Sequence, residues 1–190
     1  MIFADTDLPG VVLIDLERHE DGRGYFARTM CREEFAARGL LVDFAQESIS
    51  YNRRRGTVRG MHYQSVPHQE TKIIRCVRGA IYDVLVDVRP GSRTRLRWAS
   101  FELSAENGRA VYVPEGFAHG FQSLADDTAV QYRISTPHAP WAAAGLRYDD
   151  PALKIDWPEP VTEISDKDMS WPRAGFAETP PATAGRRLGV

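Results

Sequence analysis

An all-β jelly roll is the fold this 190-residue sequence predicts, and three observations carry the prediction. Short runs of β-branched and aliphatic residues repeat with a period of two, Gly, Pro, Asn and Asp punctuate them closely, and only one stretch has a helical period. Many short strands with one helix argue for a sandwich or barrel, of which a jelly roll is the most economical. In chain order, residues 11–16 read as a strand, and residues 30–40 as the helix, with Thr29 placed to cap its start and Gly39 to end it. Strands follow at 57–64 and 72–77. Within 80–92, Tyr82, Val84, Val86 and Val88 fall on one face and Asp83, Leu85, Asp87 and Arg89 on the other, until Pro90-Gly91 stops the run. Further strands are expected at 95–103 and 109–113, then a tight Pro114-Glu115-Gly116 turn with a returning strand, and a last strand at 129–134. No repeat of about 20–50 residues suggests a solenoid or propeller. The reading is one domain over residues 1–175, with short C-terminal helical or irregular segments, and a flexible tail at 176–190, where Pro, Gly, Ala and Thr dominate.

Composition narrows the partners. With 24 Lys+Arg against 26 Asp+Glu and a net charge of −2, nothing favours nucleic acid or an anionic membrane, while a phosphate-bearing small molecule stays compatible. Apolar runs fall far short of the roughly 20 residues of a membrane helix, and the opening residues lack a secretory pattern, so a cytoplasmic location is expected. The two cysteines, Cys31 and Cys76, have neither disulfide-framework nor C-x-x-C spacing and read as reduced packing residues. The sequence also lacks the glycine-rich phosphate loops and the G-x-S-x-G nucleophile elbow.

Among the five histidines, His19, His68 and His138 sit in polar or proline-flanked segments and read as solvated loop residues. His62 differs. Strand alternation puts it on one face with Gly60 and Gln64, beside Arg59 and Tyr63, a polar and aromatic group that would be costly on a dry core face. Lys72 begins a strand whose same-face successors, Ile74 and Cys76, are apolar, so its ammonium falls near the interior or its mouth. Tyr132 shares a face with Val130 and Ile134. His119 follows the Pro-Glu-Gly turn, where bracing the turn and meeting a ligand are equally compatible with the pattern. Arg59 beside His62 is suited to an anion. A His, a Lys, a Tyr and an Arg in one apolar-walled barrel suit proton transfer at carbon better than hydrolysis.

The segment from Gly108 through Pro114-Glu115-Gly116 to His119 resembles the second motif of cupins, the small double-stranded β-helix jelly rolls. Gly56, His62-Tyr63-Gln64, Glu70 and Gly79 resemble the first, with Gln64 where a metal-binding cupin has its second His. An amide is a poor substitute for imidazole at a transition metal, so no metal is expected. With DGRGYF at 21–26, GTVRGMHYQ at 56–64, ETKIIRCVRGAIYDVLVDVRPGS at 70–92, LSAEN at 103–107, VPEGFAHGFQSL at 113–124, DDPALKIDWP at 149–158 and SDKD at 165–168, the chain resembles the dTDP-4-dehydrorhamnose 3,5-epimerase family. The resemblance implies a cofactor-independent homodimeric epimerase of a nucleoside-diphosphate 4-keto-6-deoxyhexose. It implies His62 as the base that takes a proton beside the ketone, Asp168 orienting His62, Lys72 stabilising the enolate oxygen and Tyr132 returning a proton from the opposite face. It further implies Arg23, Phe26, Gln46, Arg59, His119 and Lys167 as substrate-binding groups, with Asp83 among them and orienting His119. The residue pattern alone does not separate Asp166 from Asp168; the SDKD match selects the second.

Departures from the family pattern are Arg28 in place of Glu, Ser48 in the Gln46-Glu47-Ser48 segment in place of Asn, and Ala143 in place of an acidic residue. By resemblance these lie toward the nucleotide, leaving the base open. Inversion at C3, C5 or both is open as well. Two other readings share the pocket: a keto-sugar isomerase using the same enediol chemistry, and a non-catalytic jelly roll that binds sugar nucleotides.

Overall fold

Two antiparallel sheets face each other in the computed structural model, which describes residues 1–174. The chain lays down β1 (Ile2–Asp5) and β2 (Val12–Asp15), an exposed hairpin of β3 (His19–Asp21) and β4 (Gly24–Phe26), and helix α1 (Arg32–Ala37). It then crosses repeatedly between sheets through β5 (Gln46–Asn52), β6 (Val58–Gln64), β7 (Lys72–Arg78), β8 (Ala80–Asp87), β9 (Trp98–Ser104), β10 (Ala110–Val113), β11 (Phe117–Ser123) and β12 (Thr128–Ile134). Strand β13 (Ala143–Gly145) and helix α2 (Asp166–Met169) complete it. One sheet has the order β1-β2-β10-β7-β12-β5, the other β13-β6-β11-β8-β9. This alternation is the double-stranded β-helix jelly roll that the sequence predicts.

Strand β8 explains how its two-sided pattern is satisfied. Ile81 and Leu85 point between the sheets, where they pack with Ile74 and Cys76 of β7, Val111 and Val113 of β10, Phe121 of β11 and Val130 of β12. Val84 and Val86 point outward instead and are covered by Leu146, Leu153, Ile155 and Trp157 of the C-terminal segment. The outer face of the other sheet is covered by α1, whose fully buried Phe35 packs with Val12, Ile14, Ile73 and Tyr112. That one ring contributes roughly 2 kcal/mol of burial energy.

The helix is shorter than expected. It begins at Cys31, which gives no side-chain cap, rather than at Thr29, and it stops before Gly39, whose φ of 68° provides the left-handed ending. Strands β1, β3, β4, β5 and β13 carry no sequence expectation of their own. β5 escapes because its inward residues, Gln46, Ser48 and Ser50, are polar and line a cavity, so no apolar stripe marks it. The expected tail at 176–190 lies outside the described residues.

Candidate active site

A cavity of about 520 Å³ opens between the sheets at one end of the barrel. Its walls come from β5 (Gln46, Ser48, Ser50), β6 (Arg59, His62), β7 (Lys72), β11 (His119), β12 (Tyr132) and α2 (Lys167, Asp168). The apolar cluster fills the other end, so polar side chains at this end meet solvent or ligand rather than hydrocarbon.

His62 reaches the cavity because β6 approaches β11 very closely. Gly60 has a φ of 136°, and a Cβ there would collide with Gly120 Cα, so the two glycines face one another where the strand register shifts. This close approach sets His62 directly opposite His119. The His62 side chain is 41% exposed, and its Nε2 lies 2.6 Å from Oδ1 of the buried Asp168. Gly60 N donates to Asp168 Oδ2 at 3.2 Å, and Trp171 Nε1 donates to Oδ1 at 3.4 Å. Burial alone would raise the Asp168 carboxyl, but the His62 hydrogen bond and charge, then the Gly60 and Trp171 donors, hold it below the ordinary carboxylate value. A charged Asp168 accepts from Nε2–H and leaves Nδ1 as the nitrogen able to take a proton.

A second dyad lies deeper, with His119 Nε2 2.7 Å from Oδ1 of Asp83 and both side chains buried. Asp83 Oδ2 has no hydrogen-bond partner among the described residues. A third pairs Lys72 Nζ with Glu70 Oε1 at 2.7 Å. Tyr132 stands edge-on to His119, ring centroids 6.0 Å apart, and burial pushes its phenol well above the usual tyrosine value. It therefore stays protonated at working pH, the state a proton donor requires. Arg59 is held by Nε donating to Asn52 Oδ1 at 2.7 Å and Nη2 to the Tyr51 carbonyl at 3.1 Å, while Lys167 sits over the Trp171 ring at 5.5 Å.

Nine of the eleven expected site residues thus converge: His62, Tyr132, Asp168, Lys72, Gln46, Arg59, His119 and Lys167 on the cavity wall, and Asp83 behind His119. Arg23 and Phe26 do not. They project from the β3–β4 hairpin, Arg23 paired with Asp21 at 2.6 Å and Phe26 73% exposed. Of the departures, Ser48 and Ala143 line the cavity, whereas Arg28 lies outside it and pairs with Glu34 at 3.0 Å.

Gln64 is committed elsewhere: its Nε2 donates to the His68 carbonyl at 3.0 Å and its Oε1 accepts from Ala139 N at 2.6 Å. It ties β6 to the loop before β13, and among the described residues no group of three or more His, Cys, Asp or Glu forms a metal-binding set, so the residues present do not fit the metal of a metal-binding cupin. His138, read as a solvated loop residue, is exposed in a loop and also borders the cavity, its backbone N donating to Gln46 Oε1 at 2.8 Å; sequence reasoning missed Trp171, which packs against His62. It quoted Glu70 without a role, although its position two residues before Lys72 on an incipient strand was the available signal.

The family profile described as dTDP-4-dehydrorhamnose 3,5-epimerase matches residues 5–175. A dTDP-4-dehydrorhamnose 3,5-epimerase of Sinorhizobium fredii is 42% identical over 173 residues, 90% of this chain and 89% of the relative. The Legionella pneumophila enzyme, solved in complex with dTDP-4-keto-L-rhamnose, superposes with a TM-score of 0.87 at 31% identity, covering 93% of this chain and 94% of that one. A 3'-monoepimerase from Streptomyces bikiniensis, solved with dTDP-quinovose, gives 0.82 at 37% identity, covering 89% and 86%.

Proposed function

The chain belongs to the dTDP-4-dehydrorhamnose 3,5-epimerase family and is a nucleotide-sugar epimerase, and we propose that it works on a dTDP-linked 4-keto-6-deoxyhexose with His62 as its base. The observation that carries the assignment of roles is the His62–Asp168 pair, 2.6 Å apart, with the imidazole open to the cavity. The ketone acidifies the neighbouring C–H; His62 Nδ1 takes that proton and Asp168 stabilises the imidazolium, an arrangement worth roughly 10²–10⁴ in rate. The electrons move onto the ketone oxygen, where the Lys72 ammonium meets the enolate, contributing about 3 kcal/mol or more. Tyr132 then delivers a proton to the opposite face of the carbon, which inverts it. Arg59 and Lys167, which no carboxylate pairs among the described residues, are the cations left for the diphosphate.

Arg23 and Phe26 support a homodimer. Both are expected at the substrate, yet within one chain they stand outside the cavity on an exposed hairpin. In a two-fold dimer each hairpin reaches the other subunit's cavity. None of the described helices is long and apolar enough to cross a membrane.

The test is proton NMR in D₂O with dTDP-, CDP-, GDP- and UDP-linked 4-keto-6-deoxyhexoses. Loss of the C3 or C5 proton signal with the dTDP sugar, the ketone staying at C4, is the expected result, and it identifies which carbons are inverted. Exchange with another nucleotide alone would transfer the assignment to that base. Folded protein that exchanges no proton from any of them would overturn the reading.

A further inference from the structure

Two carboxylates line this cavity and a third lies behind its wall, and each touches a different basic side chain: Asp168 on His62, Glu70 on Lys72 and, behind the wall, Asp83 on His119. The two histidine pairs have the form expected of an imidazole and its orienting partner. Glu70 is unexpected, because a carboxylate in a site for a diphosphate ester repels its own ligand. We propose that Glu70 is a positioning residue that dedicates Lys72 to the keto oxygen and keeps it from the diphosphate. The proposal rests on the epimerase reading above and extends it.

The local structure fixes this pair on both sides. Glu70 lies two residues before Lys72, the first residue of β7, and from this lead-in its Oε1 meets Lys72 Nζ at 2.7 Å. The backbone around Glu70 is pinned: Thr71 N donates to Ser135 Oγ at 2.9 Å, Ser135 N to the Thr71 carbonyl at 3.0 Å, and Thr136 Oγ1 to the Gln69 carbonyl at 2.8 Å. Lys72 itself is held in the sheet between Val113 and Ile134. Both side chains are only 10% exposed, an environment in which a lone ammonium on a flexible stem would be costly and free to swing. Paired with Glu70, the ammonium keeps two further N–H donors for a ligand oxygen, in an orientation set before substrate arrives. Arg59 and Lys167, without carboxylate partners among the described residues, keep their full charge for phosphate.

This division of labour has a kinetic signature. Glu70→Gln frees Lys72 to follow the diphosphate, so kcat falls about 10- to 100-fold while KM and the affinity for dTDP, measured by calorimetry, stay unchanged or improve. Glu70→Asp, which keeps the charge, recovers part of the loss. In a Lys72→Met background the Glu70→Gln change has no further effect on the deuterium-exchange rate, because the two residues act as one unit. Glu70→Gln also lowers the melting temperature, because the Lys72 ammonium loses its counter-charge in a largely buried setting, and kcat is read well below that transition. Wild-type kcat in Glu70→Gln, or an equal loss in the Lys72→Met background, would overturn the proposal. Weakened dTDP binding in Glu70→Gln would overturn it too, in favour of a pair that serves the ligand site as a whole. Wild-type protein that exchanges no proton sinks the parent reading as well, whereas normal wild-type exchange beside an unaffected Glu70→Gln sinks this one alone.

Discussion

Replacing Asp168 by Asn keeps the shape of its contact with His62 but removes the charge, and an amide nitrogen at that spot can donate to Nε2 and push the proton to Nδ1. The proposed base would then be blocked, so Asp168→Asn is expected to lower kcat about 10²–10⁴-fold with little change in KM, read in the same NMR exchange assay. The pH dependence of stability follows from the same carboxylate. Its folded-state value is depressed, so its contribution is present above the ordinary aspartate value near 4 and is lost as pH falls through the depressed value. Thermal melts across that acid range should fall less steeply for Asp168→Asn than for wild type. His62 was legible in the sequence because Gly60, His62 and Gln64 make a polar face that a core strand does not tolerate. Asp168 was not, since it sits 106 residues away and neighbours an equivalent Asp166; motif likeness alone selected it. Trp171 left no pattern at all, because its role is a contact with His62 that only the folded chain creates.

Among the elements, the β6–β11 contact carries the most consequence. A methyl on Gly120 would press on Met61 Sδ and the Arg59 carbonyl, in strands that cannot separate without moving both His62 and His119. Gly120→Ala is therefore expected to cost about 1–3 kcal/mol of stability by urea unfolding, and to lower kcat beyond what the unfolded fraction explains. Strands with apolar alternation, such as β8 and β12, were readable because each buries at least one face. Strand β5 was not, because the cavity lies behind it, and the β3–β4 hairpin was not, because every residue of its two strands is exposed and no burial pattern marks them. The helix was readable in place but not in length, since Phe35 anchors its middle while its ends are set by Cys31 and Gly39.

At the scale of the whole molecule, the proposed dimer with its shared site makes a sharp prediction. His62→Ala damages the cavity and Arg23→Ala the hairpin, so a mixed dimer holds one intact cavity served by one intact hairpin. After subunit exchange, an equal mixture should recover about a quarter of wild-type activity at low substrate, although each variant alone is impaired. No recovery from mixtures that light scattering shows to be dimeric would mean that the hairpin serves its own chain. The jelly roll itself, made of pairings distant in sequence, was predictable as an architecture, but in the proposed dimer which hairpin faces which cavity would depend on a second copy that no periodicity encodes. The His62–Asp168 pair also bears on how the protein is made. Among the described residues the last strand of either sheet ends at Gly145, and the carboxylate that orients His62 follows on α2. A chain emerging from the ribosome thus delivers every strand of the barrel before it delivers that carboxylate. In the proposed mechanism, His62 gains its orienting carboxylate only when that C-terminal segment docks.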